Sequence, residues 1–252
     1  TGGGKSFLAM DQIIKKANSY NEENGLGQPD IEDGVLSNLP MYYFSPTNII
    51  LYQFQLHMAQ NVIAPEYLIQ DIRENGEITE SNAKDVISRI IGKMNSRINI
   101  EALSIDEVIS SVTQDLIDSG ESYQIEDVVK GAMNKTLEKI ESTQMERIAE
   151  KAFPGVTFTT YSDLERRTDK EIKEIKASFI IFDEAHRTGA EKWWDKVKKL
   201  VQSSKADVLA ITATPERDVD EKSLNTQNIK NVLNSFIGKS KQIPPMYSEK
   251  MN

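Results

Sequence analysis

Four consecutive apolar residues, Phe179-Ile180-Ile181-Phe182, run straight into two adjacent carboxylates, Asp183 and Glu184. A strand sends alternate side chains to opposite faces, so a run that is apolar at every position must be covered on both. The chain is thereby constrained to a sheet sandwiched between helices. Asp207-Val208-Leu209-Ala210-Ile211-Thr212 reads the same way, with a helical pattern over Ala190–Ser203 between the two runs. Met41–Ser45 and Val156–Thr160 are further strand candidates, and a helix is expected after Thr47. This alternation predicts an α/β fold with a parallel sheet.

The middle of the chain has another character. Residues 65–152 hold ten basic and eighteen acidic side chains, a net −8 out of −9 for the whole chain, while residues 1–64 carry −3 and 153–252 carry +2. Ala83, Val86, Ile87, Ile90, Ile91 and Met94 form one helical stripe, and Ile105, Val108, Ile109, Val112 and Leu116 a second, opened by an expected capping box at Ser104 and Glu107. A third stripe begins at Ile125 and is expected to run to Phe153. The predicted organisation is an α/β domain in two parts, 1–64 and 153–240, around an all-helical insertion at 65–152, with a tail at 241–252. Residues 19–39, rich in Asn, Gly and Pro, read as a long, mobile polar connection.

Composition removes several classes. With no cysteine and two histidines there is no disulfide framework and no zinc or iron constellation. No apolar run approaches the length of a membrane span and no signal peptide opens the chain, so a cytoplasmic protein without a membrane partner is expected. A sequence pI of about 5.0 argues against broad phosphate binding but leaves room for a local basic cleft.

Three segments carry chemistry. Thr1-Gly2-Gly3-Gly4-Lys5-Ser6 precedes a helical pattern from Phe7 to Lys16. Glycines let backbone N–H groups wrap a phosphate, a lysine reaches the β/γ oxygens, and a serine hydroxyl ligates Mg2+ at the helix N-terminus. Asp183-Glu184-Ala185-His186 ends a buried strand, where paired carboxylates are costly without a cation or a task. In a phosphohydrolase the first holds Mg2+ and the second acts on the attacking water. Ile211-Thr212-Ala213-Thr214-Pro215 places small hydroxyl residues at a strand's carboxyl end, where α/β sheets bind ligands.

Together these segments resemble the first motor domain of superfamily 2 helicases and translocases. Thr1–Ser6 is similar to motif I, Asp183–His186 to motif II in its DEAH form, and Thr212–Thr214 to motif III. Ser45-Pro46-Thr47 resembles motif Ia and Thr160-Tyr161-Ser162 motif Ib. The text FIIFDEAHRTGA…VLAITATPERD is most similar to the branch of type III restriction motor subunits and the UvrB and XPB translocases.

The resemblance implies a RecA-like fold and ATP hydrolysis coupled to movement on nucleic acid, DNA before RNA and duplex before single strand. Thr1, Gly2, Gly3, Gly4, Lys5 and Ser6 would hold ATP, Ser6 and Asp183 would position Mg2+, and Glu184 would act on the water. His186 would sense the γ-phosphate and, with Thr212, Ala213 and Thr214, couple hydrolysis to domain closure. Ser45, Pro46, Thr47, Thr160, Tyr161 and Ser162 would meet the nucleic-acid backbone. The resemblance also implies a preceding strand and a second RecA-like domain outside this chain. Without the latter's arginines, residues 1–252 alone are expected to bind ATP weakly and turn over negligibly. A competing reading is a catalytically incomplete nucleotide-binding module whose acidic helical insertion docks a protein partner, since like charge repels phosphate backbones.

Other residues read as structural: His57 as a helix residue, Trp193-Trp194 as packing on the sheet, Lys196, Lys198 and Lys199 as a solvated face. Arg187 is a candidate polar neighbour of the site, Arg217 a surface arginine, and Pro29-Asp30 no nuclease motif.

Overall fold

The computed structural model describes residues 4–25, 39–120, 122–185 and 191–212. Four strands, β1 (Met41–Ser45), β2 (Val156–Thr160), β3 (Phe179–Phe182) and β4 (Asp207–Ala210), form one sheet in the order β2-β1-β3-β4. Every pairing is parallel: Met41 lies opposite Val156 on one side and Phe179 on the other, and Phe179 opposite Asp207. β4 is two residues shorter than expected. The chain still holds register there, because Ile211 N–H donates to the Phe182 carbonyl at 2.9 Å.

Helices cover both faces, as the apolar runs require. Met41, Tyr43, Phe179 and Ile181 point into one core shared with α1 (Lys5–Glu23), α2 (Asn48–Met58) and the insertion. Phe44, Ile180 and Phe182 alternate into a second core with α8 (Tyr161–Arg166), α9 (Asp169–Glu174) and α10 (Glu191–Ser204). This is the RecA-like α/β architecture, with an all-helical insertion between β1 and β2.

The insertion grows directly out of α2. One turn of π-helix (Ala59–Ile63) joins α2 to α3 (Ala64–Asn75) without a break in the rod. Pro65 has no N–H for the helical ladder and its ring crowds the preceding turn, and the wider π turn accommodates it. Ala59, Ile63 and Ala64 are fully buried at this joint. The expected boundary at residue 65 thus falls inside a continuous rod. α4 (Ala83–Met94), α5 (Ile105–Ser119), α6 (Ile125–Leu137) and α7 (Ser142–Ala152) complete the insertion and share the core of the first sheet face. α5 and α6 are closest at Gly131, where a Cβ would come within 2.8 Å of Val112 Cγ1.

Three sequence expectations are corrected. The stripe from Ile125 does not continue to Phe153 as one helix but breaks between Leu137 and Ser142. Ile140, in the break, and Met145, on α7, are both buried, so the apolar stripe carries on across the interruption. Ser104 makes no capping box with Glu107. It leaves a 3-10 turn in the left-handed region (φ 48°), and its side chain makes no cap hydrogen bond. Finally, α1 extends to Glu23, well into the expected connection, because Tyr20 packs against the core and Asn21 is buried. Asn24 and Gly25 (φ 65°) end it; residues 26–38 lie outside the described residues.

Candidate functional site

Strands β1, β3 and β4 deliver their carboxyl ends to one edge of the sheet, and α1 begins there. Gly4 caps α1 in the left-handed region (φ 67°), where only glycine sits without strain, and its carbonyl accepts from Leu8 N–H at 2.9 Å. This turn aims Lys5, the first helical residue, at the end of β3. Glu184 is itself left-handed (φ 48°), a costly conformation for a residue with a Cβ. Its carboxylate meets the Lys5 ammonium across 179 positions of sequence, and the two side chains are only 19% and 21% exposed.

Asp183 is held from three sides. Its Oδ2 accepts from the Tyr43 hydroxyl at 2.8 Å and its Oδ1 from Glu184 N–H at 2.9 Å, while its backbone carbonyl accepts from the Tyr161 hydroxyl at 2.7 Å. Burial pushes the Asp183 carboxyl above the usual range, against the lowering pull of the Tyr43 and Glu184 hydrogen bonds and of Lys5; the Glu184 charge adds to the rise. The Tyr43 phenol is driven well up by burial first and then by Asp183. Tyr43 is locked in turn, its ring stacked on Phe54 at 3.9 Å.

Ala185 N–H donates to the Ile211 carbonyl at 2.8 Å, which brings Thr212 directly beside the Asp183–Ala185 segment. A cleft of about 670 Å3 opens at this edge, lined by Lys5, Ser6, Asp183 and Glu184 together with His57, Gln60 and Glu138. His57, read from sequence as structural, faces this cleft 6.5 Å from the Phe7 ring. Its Nδ1 is buried without a hydrogen-bond partner among the described residues.

The remaining expected residues divide. Ser45 and Thr160 are paired in register at the ends of β1 and β2. Both are buried: Ser45 Oγ donates to the Thr47 carbonyl at 3.1 Å, and Thr160 caps α8 in a capping box with Asp163. Pro46 is buried as well. Tyr161 has no exposed side chain, packing between Phe182 and Trp193. Thr47, which caps α2 through Ile50 N–H, is exposed, and Ser162 is half-buried. Thr1, Gly2, Gly3, His186, Arg187, Ala213, Thr214 and Arg217 lie outside the described residues. Trp193 packs α10 onto the sheet, with its indole N–H on Glu165 at 3.0 Å. Lys196 and Lys199 are tied to Asp169 at 3.2 and 2.6 Å.

Sequence reading missed Tyr43 altogether, since an aromatic residue inside a strand signals core and nothing marks its hydroxyl. Replacing Tyr43 by phenylalanine removes one donor from a charged acceptor, worth about 1.5–3 kcal/mol. The expected result is Mg2+-dependent ATP affinity lowered roughly tenfold or more, with metal-free ATP affinity unchanged, read by titration calorimetry with and without Mg2+. Equal losses in both conditions would show Tyr43 to be packing alone.

No group of three or more His, Asp or Glu side chains that could hold a metal exists among the described residues. Mg2+ bound with a nucleotide takes one or two protein ligands plus phosphates and waters. Asp183, a carboxylate fixed by outer donors, and Ser6, lining the same cleft, fit such a role.

A lysine at a glycine-capped helix start, facing two carboxylates at the end of a buried parallel strand, is the arrangement of a P-loop nucleotide site. No curated protein and no solved structure was found to match the chain. The family described as type III restriction enzyme, res subunit (ResIII) does match, over residues 1–217. That span takes in the glycine-lysine turn, the whole sheet and the insertion, and the chain therefore belongs to this family, as an ATP-binding, helicase-type first motor domain of superfamily 2.

Proposed function

We propose that this domain binds ATP with Mg2+ and hydrolyses it to drive movement on DNA, duplex in preference to single strand. The single observation carrying the reading is the meeting of Lys5 and Glu184 beside Asp183, far apart in sequence and together at the carboxyl end of the sheet. DNA is preferred because the matching family is that of a restriction enzyme subunit.

Gly4 and its preceding glycines cradle the phosphates with backbone N–H groups, and Lys5 neutralises the β/γ oxygens. Mg2+, when bound, supplies charge neutralisation on the β- and γ-phosphate oxygens, with Ser6 and Asp183 as its protein ligands. Without nucleotide, Lys5 and Glu184 neutralise one another. Phosphate oxygens compete for the ammonium, and a Glu184 carboxylate released from it is free to take a proton from water on Oε1. Thr212, with His186, Ala213 and Thr214, couples this cleft to domain closure, and the exposed Thr47 and half-buried Ser162 meet the nucleic-acid backbone with the helix ends of α2 and α8.

Lys5→Ala tests the reading. Losing a hydrogen-bonding cation is expected to weaken ATP binding by about ten- to a hundredfold, measured by calorimetry or a fluorescent ATP analogue. Unchanged affinity would overturn it. The net −8 of residues 65–152 supports a second reading, a protein-docking insertion on an inactive nucleotide fold. Nucleotide binding with no turnover in the parent protein would favour it.

A further inference from the structure

Of the ten basic residues in the acidic insertion, four come together in one place. Lys93, Arg97, Arg147 and Lys151 line a cleft of about 370 Å3 between the C-terminal end of α4 and the outer face of α7, with Asn95 and Ser96 at its floor and no carboxylate in its wall. Arg147 and Lys151 are four apart on α7, on the side away from its buried Met145, Ile148, Ala149 and Ala152. The loop carrying Arg97 is fixed by Asn95, whose Nδ2 donates to Gln144 Oε1 at 2.7 Å and whose Oδ1 accepts from Arg97 N–H at 3.1 Å. The Lys151 ammonium donates to the Lys93 carbonyl and lies 5.7 Å over the Tyr67 ring, clamping α7 to both α4 and α3.

Helix-end electrostatics explain only half of this cluster. Cations are favoured at a helix C-terminus, and Lys151 serves the end of α4 in that way. Lys93 is neutralised by Glu74 at 2.6 Å. Arg97 and Arg147 remain: neither forms an ion pair among the described residues. Arg147 lies near enough to Glu150 to offset part of that carboxyl's rise, which burial and Glu146 dominate. Two guanidinium groups thus line this concavity without an ion pair of their own among the described residues, inside a module whose net charge is −8.

We propose that this cleft binds the phosphodiester backbone of nucleic acid, as a contact separate from the motor's nucleotide edge. Guanidinium groups match phosphate oxygens bidentately, and two of them with a flanking ammonium neutralise two to three successive phosphates without reading sequence. In a helicase-type motor the polyanion at hand is nucleic acid. The acidic surroundings confine such a ligand to this one track by repelling it elsewhere. Tyr67 lies on the rod about 30 Å from its start at Thr47, at 1.5 Å per residue, so the cleft is well removed from the ends of β1 and β2.

The test is fluorescence anisotropy on the full chain without nucleotide, using labelled single strands and duplexes of about 30 nucleotides over roughly 50–200 mM salt. The double variant Arg97→Gln with Arg147→Gln is expected to bind about tenfold more weakly near 100 mM salt, with the salt slope on duplex reduced by about 2. Lys135→Gln, which removes an insertion cation paired elsewhere with Asp115, is expected to leave both unchanged. Unaltered affinity and slope in the double variant, or no binding by the wild-type chain, overturns the proposal. Equal competition by polyglutamate overturns it in favour of an acidic protein partner, and equal competition by inorganic phosphate reduces the cleft to a single-anion pocket. Both arginines are exposed, and an unchanged melting temperature separates lost contacts from lost structure. Failure here leaves ATP binding by Lys5 untouched, and failure there leaves this cleft untouched.

Discussion

Replacing Glu184 by glutamine is expected to leave ATP binding intact in the parent motor protein and to lower its hydrolysis by roughly 10²- to 10⁴-fold, the contribution of a positioned general base. The two side chains are nearly isosteric, so the left-handed turn at Glu184 and the seating of Asp183 by Glu184 N–H are retained. What changes is charge. The amide cannot take a proton from water, and it no longer competes with phosphate oxygens for the Lys5 ammonium. Nucleotide affinity is therefore expected to stay level or rise, giving a variant that loads and does not turn over. Parallel calorimetry and phosphate-release assays read the two properties. Hydrolysis at the wild-type rate would remove Glu184 from the chemistry and leave its contact with Lys5 as a structural ion pair.

The second large effect concerns stability and lies in the insertion. Asp71 on α3 is 1% exposed, and Arg89 on α4 grips it with both arms of its fork, Nε to Oδ1 at 2.8 Å and Nη2 to Oδ2 at 2.7 Å. Asn75 Nδ2 adds a third donor at 3.0 Å. Arg89→Ala strands a buried carboxylate and is expected to cost about 3–5 kcal/mol, a large part of the 5–15 kcal/mol of a typical domain. Asp71→Ala leaves a guanidinium that is 38% exposed and can be hydrated, so its cost is expected to be smaller. Denaturant melts of the two variants check the order; equal losses would show that volume matters here and charge does not.

The same pair sets an acid dependence. The Arg89 hydrogen bonds, set against burial, hold the Asp71 carboxyl below its ordinary value. A depressed folded-state value means that the unfolded chain takes up the proton first as pH falls. The pair's contribution is therefore complete above the ordinary aspartate range, about pH 3.9, and disappears as pH drops through the lower folded value. In Arg89→Ala only the Asn75 hydrogen bond and the Lys93 charge oppose burial, and acid unfolding is expected to begin at a higher pH than in the wild type.

Most of the sheet was legible because parallel strands in an α/β fold must be apolar on both faces, and Phe179–Phe182 is. The lysine and acidic pair were legible because spacing to a strand end and a helix start is local information. Tyr43 and Tyr161 were not, since a phenol's value to Asp183 depends on which strands become neighbours, and the order β2-β1-β3-β4 is a tertiary fact. Thr160 and Tyr161 looked like surface contacts because hydroxyl groups at strand ends resemble a motif, whereas capping and core packing use the same residues. The break before Ser142 was hidden because the buried apolar stripe runs on across it, from Leu137 through Ile140 to Met145. The basic cleft was invisible for a related reason: four cations spread from Lys93 to Lys151 average away within a net −8 and meet only when α7 packs beside α4.

The unbroken rod from Asn48 to Asn75 gives the molecule a mechanical property beyond its packing. Its root is planted at the carboxyl end of β1, one strand away from Asp183, and its tip, within the insertion, lies about 40 Å from that root at 1.5 Å per residue. A tilt of about 5° at the root sweeps the tip through roughly 3–4 Å by that geometry, more than half the pitch of the helix itself. By that geometry a small adjustment at the sheet edge would be magnified into a displacement on the scale of a nucleotide step at the far end of the rod, with the buried π turn holding its two halves in line.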